Sequence, residues 1–333
     1  MKKIYTILGI LLSIALCFSQ PTFAEKMDLG VQTIPSEKQI DKTKSYFDLR
    51  VKPGEKQTIS LLLSNSSDKE MKVAIETNTA VTNQNGIIDY KQPQQKPDDT
   101  LSVQFSDLIS GEKEVTIGAK QTKEVDFTLT IPKTTFKGAV LGGIYVKKIE
   151  TNEEKNKQKE VQIKNEYSVA IGVLLSESDE QVTSNLVLNE VHPSLENYRT
   201  VVTANIQNTQ PKLEGEMTVQ AEITEKGKEK VIHSTKKENM KMAPNSNFNF
   251  PISWNNEPLK PGRYTIDVSI QTSSGKWRLT KDFDIKAEES KKLNAEAVEL
   301  KKDDRTLYFI IGSSSFVIIL LLLLLLLKKK QTK

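Results

Sequence analysis

The sequence predicts an all-β protein with two immunoglobulin-like β-sandwich domains in tandem, an N-terminal signal peptide and one C-terminal transmembrane helix. Three observations predict this arrangement. Apolar and polar residues alternate along many short segments. The first 24 residues have the pattern of an export signal. A long apolar stretch without charge lies close to the C-terminus.

Residues 1–24 have the three parts of a secretory signal. Lys2-Lys3 is basic, Ile4 to Phe18 carries no charge, and Thr22-Phe23-Ala24 places small residues where a signal peptidase reads them. We therefore predict a cleaved signal peptide at 1–24. The alternative is a short uncleaved anchor.

The only cysteine, Cys17, lies inside this signal. Leu16 precedes it, where a lipoprotein signal needs a small residue, so lipidation is not expected. The mature chain then has no cysteine, and its domains are expected to be stable through their cores rather than through disulfides.

The charge of the chain is concentrated at its two ends. Of 47 basic residues, two lie in the signal and four in the C-terminal tail, and neither segment contains an acidic residue. The remainder has 41 basic residues against 43 acidic residues, a net charge of −2. Such a nearly neutral region gives no indication of nucleic-acid binding.

The first domain is predicted at residues 29–150. Alternating apolar residues indicate half-buried strands at 57–64, 71–77 and 123–131. The segment Phe136 to Val146 is almost continuously apolar, as in a strand buried on both faces, and its glycines allow close packing or a bulge.

The boundary between the domains has two interpretations. Thr151 to Glu160 is polar and is expected to be a loop, and Tyr167 to Leu175 is a second buried strand. If the apolar runs on either side of the loop pair as a long hairpin, the first domain extends to about residue 178. Otherwise it ends near residue 150.

The second domain is predicted at residues 160–290. Alternation and turn residues indicate strands at 186–191, 200–206, 217–224, 231–235, 248–254, 263–271 and 277–285. The charged segment from 291 to 306 lacks this alternation, and we expect a helical stalk that joins the domain to the membrane.

The C-terminal apolar stretch runs from Leu307 to Leu327 and includes eight consecutive leucines. As a helix it would be about 31 Å long, which matches the hydrocarbon core of a bilayer. The lysines of the tail, residues 328–333, indicate the cytoplasmic side. We therefore expect a single-pass type I membrane protein with an extracellular ectodomain. The wall-sorting sequence Leu-Pro-x-Thr-Gly does not precede the stretch.

The sequence predicts no enzyme, no cofactor and no metal site. His192 and His233 are far apart and lack metal-ligand spacing, and no phosphate-binding loop or nucleophile elbow is present. The acidic pairs Asp98-Asp99 and Glu153-Glu154 are interpreted as solvated loop charges rather than as a glycosidase pair.

Trp254, Tyr264 and Trp277 are the predicted binding residues, because exposed aromatic side chains often contact sugars or proteins. The favoured alternative is that the tryptophans belong to the core. The long polar stretch from Asn83 to Pro97 is a second candidate binding region, with a solvated loop without function as the alternative.

Several segments together resemble one family, the WxL-interacting proteins of Gram-positive bacteria. The matching segments are Phe47 to Gly54, the Leu-Leu-Leu-Ser-Asn-Ser strand at 61–66, Ile131 to Ile144, Ala170 to Val173, Leu259 to Tyr264, and the strand that contains Trp277. The similarity extends from the signal to the basic tail.

This resemblance implies a peptidoglycan-binding first domain, a second domain that binds host proteins, and partnership with secreted WxL-domain proteins. The expected function is therefore a non-catalytic surface protein that links WxL-domain proteins and peptidoglycan to the membrane at the cell wall. The alternative is an adhesin whose outer domain binds host extracellular-matrix proteins.

Overall fold

A computed structural model describes residues 28–91, 96–149 and 167–301. The predicted signal peptide, the transmembrane stretch, the basic tail and residues 302–306 of the expected stalk lie outside the described residues. Among those that are described, no helix combines the length and the apolar character needed to cross a membrane.

Strands account for nearly all the regular secondary structure of the described residues, which confirms the all-β prediction. The strands are β1 Leu29–Ile34, β2 Phe47–Arg50, β3 Lys56–Asn65, β4 Met71–Thr79, β5 Val81–Thr82, β6 Ile88–Asp89, β7 Ile109–Gly111, β8 Glu114–Ile117, β9 Thr122–Thr130, β10 Ala139–Lys148, β11 Ser168–Ser176, β12 Leu186–Glu196, β13 Arg199–Asn208, β14 Glu214–Glu225, β15 Val231–Met242, β16 Ser246–Ser253, β17 Gly262–Thr272 and β18 Gly275–Ile285. The helices are α1 Phe105–Leu108 and α2 Ala287–Glu296.

The chain divides into two compact units, each assembled from separate stretches of sequence. Unit 1 comprises Met1–Thr77, Asp107–Lys133 and Gly143–Val173. Unit 2 comprises Asn78–Ser106, Thr134–Gly142 and Leu174–Lys333.

Unit 1 is built on two sheets with the strand orders β1-β3-β9-β7 and β2-β11-β10-β4-β8. The alternation in the sequence places one face of each strand in the core: β3 buries Ile59, Leu61 and Leu63, and β9 buries Val125 and Phe127. β10 and β11 are neighbours in the second sheet, as expected if the two apolar runs pair across the polar loop.

Unit 2 contains a three-stranded sheet, β12-β13-β16, and a four-stranded sheet, β15-β14-β17-β18. Their apolar faces share one core that includes Ile206, Val219, Phe250 and Ile266. Helix α2 packs on this sandwich, since the Ser290 hydroxyl donates to the Leu259 carbonyl at 2.7 Å.

Part of the expected stalk therefore lies against unit 2. Beyond α2, the Val298 amide donates to the Tyr198 carbonyl at 2.8 Å, and the Lys301 amide donates to the Asn256 carbonyl at 2.7 Å. Residues 291–301 thus contribute to the edge of the second sandwich.

The 78–106 segment (described at 78–91 and 96–106) belongs to unit 2, although it lies between strands of the first sandwich in sequence. Its short β5-β6 hairpin contacts β15 and β16. The Gly86 carbonyl accepts a hydrogen bond from the Lys241 amide at 2.7 Å, and Thr82 Oγ1 accepts one from the Ala243 amide at 3.0 Å. These bonds attach the segment to the second sandwich.

Gly142 in β10 shows why this strand needs glycine. A Cβ atom at this position would lie 1.9 Å from the ring of Phe105. The close packing expected from the glycines of this apolar run is therefore confirmed at Gly142.

Candidate functional site

A polar cleft in unit 2 is the best-formed candidate site in the described chain. Its volume is about 320 Å³. It is lined by residues 78–81, by six residues between Lys96 and Ser106, and by residues 245–247 at the start of β16. The 78–106 segment thus forms one wall, and the second sandwich forms the other.

Asp98 lines the cleft and is only 8% exposed. Its carboxylate accepts hydrogen bonds from Asn247 Nδ2 at 2.6 Å and from Gln207 Nε2 at 2.8 Å. Within its own turn it also accepts from the Thr100 amide at 2.9 Å and from Thr100 Oγ1 at 2.7 Å. The interpretation of Asp98 as a solvated loop charge was wrong, because these four donors replace water.

The electrostatics of Asp98 follow from two opposing effects. Burial alone would raise the pKa of its carboxyl group, but the hydrogen bonds from Asn247, Thr100 and Gln207 outweigh burial and hold the pKa below its usual value. Asp98 is therefore ionised at neutral pH, and its carboxylate already accepts hydrogen bonds from residues of unit 2.

A ladder of carboxamides continues from Asp98 across the sheet. Asn205 Nδ2 donates to Asn247 Oδ1 at 3.0 Å and to Asn249 Oδ1 at 2.9 Å, and Asn189 Nδ2 donates to Asn205 Oδ1 at 3.0 Å. The register explains the ladder, because Asn205 lies opposite Asn249 in the β13-β16 pairing. Alternate residues of these strands point into the core, so the carboxamides share the other face.

Asn245 connects the cleft to two further loops. Its Nδ2 donates to the Thr100 carbonyl, to Thr100 Oγ1 and to the Thr209 carbonyl, each at 3.1 Å. Its φ of +44° is a left-handed conformation that asparagine tolerates better than most residues. This geometry fixes the side chain at the entrance to β16.

Some polar groups of the cleft remain available to a ligand. The Gln104 side chain is half-buried, and neither its oxygen nor its nitrogen has a hydrogen-bond partner among the described residues. Asn78 Nδ2 donates to the Tyr90 carbonyl at 2.7 Å, which leaves its Oδ1 facing no described donor. Within the described ranges, the ion-pair partner of Lys96 is the highly exposed Asp99, at 3.0 Å.

The three aromatic residues predicted to bind lie outside this cleft. Trp254 and Tyr264 are 2% and 5% exposed, and their rings meet edge to face at 5.6 Å in the core of unit 2. Trp277 is partly buried against the same core. It lines a separate groove of about 590 Å³. A binding role for these residues stays a prediction, and Trp277 is the most accessible of the three.

The two histidines do not come together with other ligating groups. His233 stacks on Trp254 with ring centroids 3.9 Å apart, and burial lowers the pKa of its imidazole. His192 lies in β12. Within the described ranges, no cluster of three or more His, Cys, Asp or Glu side chains could hold a metal ion.

Sequence reasoning misinterpreted Asp98 as solvated and missed the carboxamide ladder, although one signal of the ladder was present. Asn205 and Gln207, and likewise Asn247 and Asn249, alternate with buried apolar residues. Amide side chains at strand spacing indicate a polar sheet face whose side chains bind one another. The partner of that face, far away in sequence, could not be inferred.

These features define a class of protein: tandem β-sandwiches whose best-formed site is a polar cleft suited to binding. The family model for the WxL Interacting Protein peptidoglycan binding domain matches residues 30–148, and the model for the host binding domain of the same protein matches residues 158–295. The chain therefore belongs to the WxL-interacting protein family, and the resemblance seen in its sequence is confirmed.

Solved structures give more distant likenesses. The CupB2 chaperone of Pseudomonas aeruginosa is 12% identical with a TM-score of 0.29, and the match covers 68% of this chain and 92% of the chaperone. The E. coli chaperone DraB is 14% identical with a TM-score of 0.31, with 78% and 95% covered. Scores this low support no argument about function. Comparison with the curated proteins gave no match.

Proposed function

We propose that this protein is a non-catalytic surface protein that links WxL-domain proteins and peptidoglycan to the cell membrane. The observation that carries the proposal is the tandem match to a peptidoglycan binding domain and a host binding domain within one chain. The polar cleft in unit 2 suits non-covalent recognition, since Asp98, the one carboxylate among its described lining residues, already accepts from four donors.

Membrane anchoring rests on the sequence. The apolar stretch from Leu307 to Leu327 is long enough to span a bilayer, and the lysines after it favour a cytoplasmic C-terminus. The protein would then be a type I membrane protein with both sandwiches at the cell wall. An anchored protein that holds one partner meets the second at high effective concentration, so individually weak contacts suffice for linking.

Co-sedimentation tests the binding role. The full chain in detergent micelles is mixed with purified peptidoglycan, and separately with a purified WxL-domain protein. We expect the full chain to sediment with peptidoglycan and to capture the WxL-domain protein at physiological salt. Retention of neither partner would refute the proposal. Release of soluble fragments from the peptidoglycan would show an enzyme instead.

An adhesin is the second candidate, and the match of residues 158–295 to a host binding domain favours it. Binding of the full chain to an immobilised matrix protein of the fibronectin type, without capture of peptidoglycan or the WxL-domain protein, would establish this alternative.

A further inference from the structure

We infer that the polar cleft of unit 2 binds one N-acetylated sugar unit of a neutral saccharide, and that both family-matched ranges build this site jointly. The inference rests on the proposed peptidoglycan-binding function and assigns that function a location and a ligand class. Neither family match assigns the site.

The size of the cleft limits the ligand. A volume of about 320 Å³ lies at the lower end of the range for small-molecule sites, roughly 300–1,000 Å³. One sugar ring with its substituents fits such a space. An extended peptide would need a longer groove.

The available polar groups match hydroxyl and amide chemistry. Gln104 offers a donor and an acceptor on adjacent atoms, and Oδ1 of Asn78 and of Asn245 are acceptors without described donors. A sugar hydroxyl both donates and accepts, and an acetamido group does the same through separate atoms. Ala80, Val81 and Leu101 add apolar lining that suits a methyl group.

The charges of the cleft favour a neutral ligand. Among its described lining residues, only Lys96 and Asp98 are charged, and their signs are opposite. The Asp98 carboxylate is already held by Asn247, Gln207 and Thr100, so it does not offer an unpaired charge to a cation. Lys96 alone is too exposed to select an anion.

Several side chains that line the cleft are already held by hydrogen bonds within the protein. Asp98, Asn247 and Asn205 form one continuous hydrogen-bonded network, and Asn245 is held by three further bonds. A site whose side chains are already ordered loses less conformational entropy on binding.

The cleft also crosses the boundary suggested by the family matches. Gln104 and Asp98 lie within 30–148, whereas Asn245 and Asn247 lie within 158–295. All four belong to unit 2. The site is therefore incomplete in either matched range alone.

Binding of the N-acetylglucosamine trimer to the full chain in micelles tests the inference. Gln104→Ala removes a lining carboxamide without breaking a described hydrogen bond, so the melting temperature should stay unchanged. Loss of its contacts should weaken binding by about tenfold. Gln32→Ala is the matched control, because Gln32 is an exposed carboxamide on β1 of unit 1, away from the cleft residues of unit 2. This variant should bind like wild type.

Several outcomes would overturn the inference. These are no binding of the trimer, equal binding by Gln104→Ala, loss of binding in Gln32→Ala alone, or binding of a peptidoglycan stem peptide in place of the sugar. Co-sedimentation with intact peptidoglycan distinguishes a failure of the cleft assignment from a failure of the proposed function. If sedimentation persists while the trimer fails to bind, the cleft assignment falls and the proposed function stands. If both fail, both fall.

Discussion

Asn247 donates a 2.6 Å hydrogen bond to the carboxylate of Asp98, across 149 residues of sequence. Asp98 lies in the range matched by the peptidoglycan binding domain, and Asn247 lies in the range matched by the host binding domain. Because both residues belong to unit 2, the second sandwich includes a segment that the family boundaries place in the first domain.

Removing the Asp98 carboxylate should destabilise unit 2. In Asp98→Ala, the amides of Asn247 and Gln207 lose a charged acceptor, which should cost about 1–3 kcal/mol of unfolding free energy. Asp99→Ala is the control, since the Asp99 side chain is 84% exposed. Chemical denaturation of the full chain measures both variants. Equal stabilities would show that the contact is not formed.

The contribution of Asp98 should depend on pH. Its folded pKa lies below the ordinary value of 3.8, so its stabilising effect is present above that value and is lost as the pH falls through the folded pKa. The stability difference between wild type and Asp98→Ala should be constant near neutral pH and shrink under acid conditions. A difference that grows on acidification would contradict the pKa direction.

Replacement of Gly138 by alanine should destabilise the protein more than replacement of Gly227. Both have positive φ, +69° and +80°, so alanine at either position costs about 1–2 kcal/mol in backbone strain. At Gly138 a Cβ would also lie 2.1 Å from the Pro211 carbonyl oxygen, whereas nothing lies within 4 Å at Gly227. Thermal unfolding should therefore give a lower melting temperature for Gly138→Ala than for Gly227→Ala. The reverse order would contradict the close packing of Gly138 against Pro211 within unit 2.

His233 should make unit 2 less stable in mild acid. Burial lowers the folded pKa of its imidazole most strongly; Glu257 raises it to a smaller extent, and Lys260 and Lys301 lower it further. The unfolded state then binds the proton more readily, so stability falls as the pH drops below about 6.5. His233→Phe keeps an aromatic ring beside Trp254 and should flatten this dependence between pH 7.5 and 5.5. An unchanged pH profile in this variant would assign the effect to other groups.

Substituting Trp254 and Trp277 should have different effects on stability and on binding. Trp254→Ala empties a core position and should cost about 3–5 kcal/mol. Trp277→Ala should cost less, because the side chain is only partly buried. If Trp277 also binds a ligand, as its sequence context predicts, peptidoglycan co-sedimentation should weaken in Trp277→Ala while the fold persists. Wild-type sedimentation would remove Trp277 from the binding residues.

Local patterns were sufficient to predict most strands. The alternation of Ile59, Leu61 and Leu63 predicts a half-buried strand, and β3 covers the same residues. The sequence left the pairing of the two apolar runs open, and the structure places β10 and β11 side by side in one sheet. Burial on both faces is confirmed for β10, whereas β11 alternates buried residues with partly exposed ones.

The candidate site depends on contacts that local patterns do not encode. From the sequence, the loop at 83–97 and the Asp98-Asp99 pair were interpreted as solvated, because polar residues that connect strands are usually exposed to water. Asp98 instead meets Gln207 and Asn247, and this burial depends on which sheet the 78–106 segment packs against. Sequence spacing does not determine that choice.

Recruitment to liposomes tests the linking role most directly. The full chain is reconstituted into vesicles, and fluorescent peptidoglycan fragments and the WxL-domain protein are added separately and together. The account predicts that both become bound to vesicles carrying the full chain, and that neither binds to empty vesicles. If the chain inserts but recruits neither partner, the linking role is wrong.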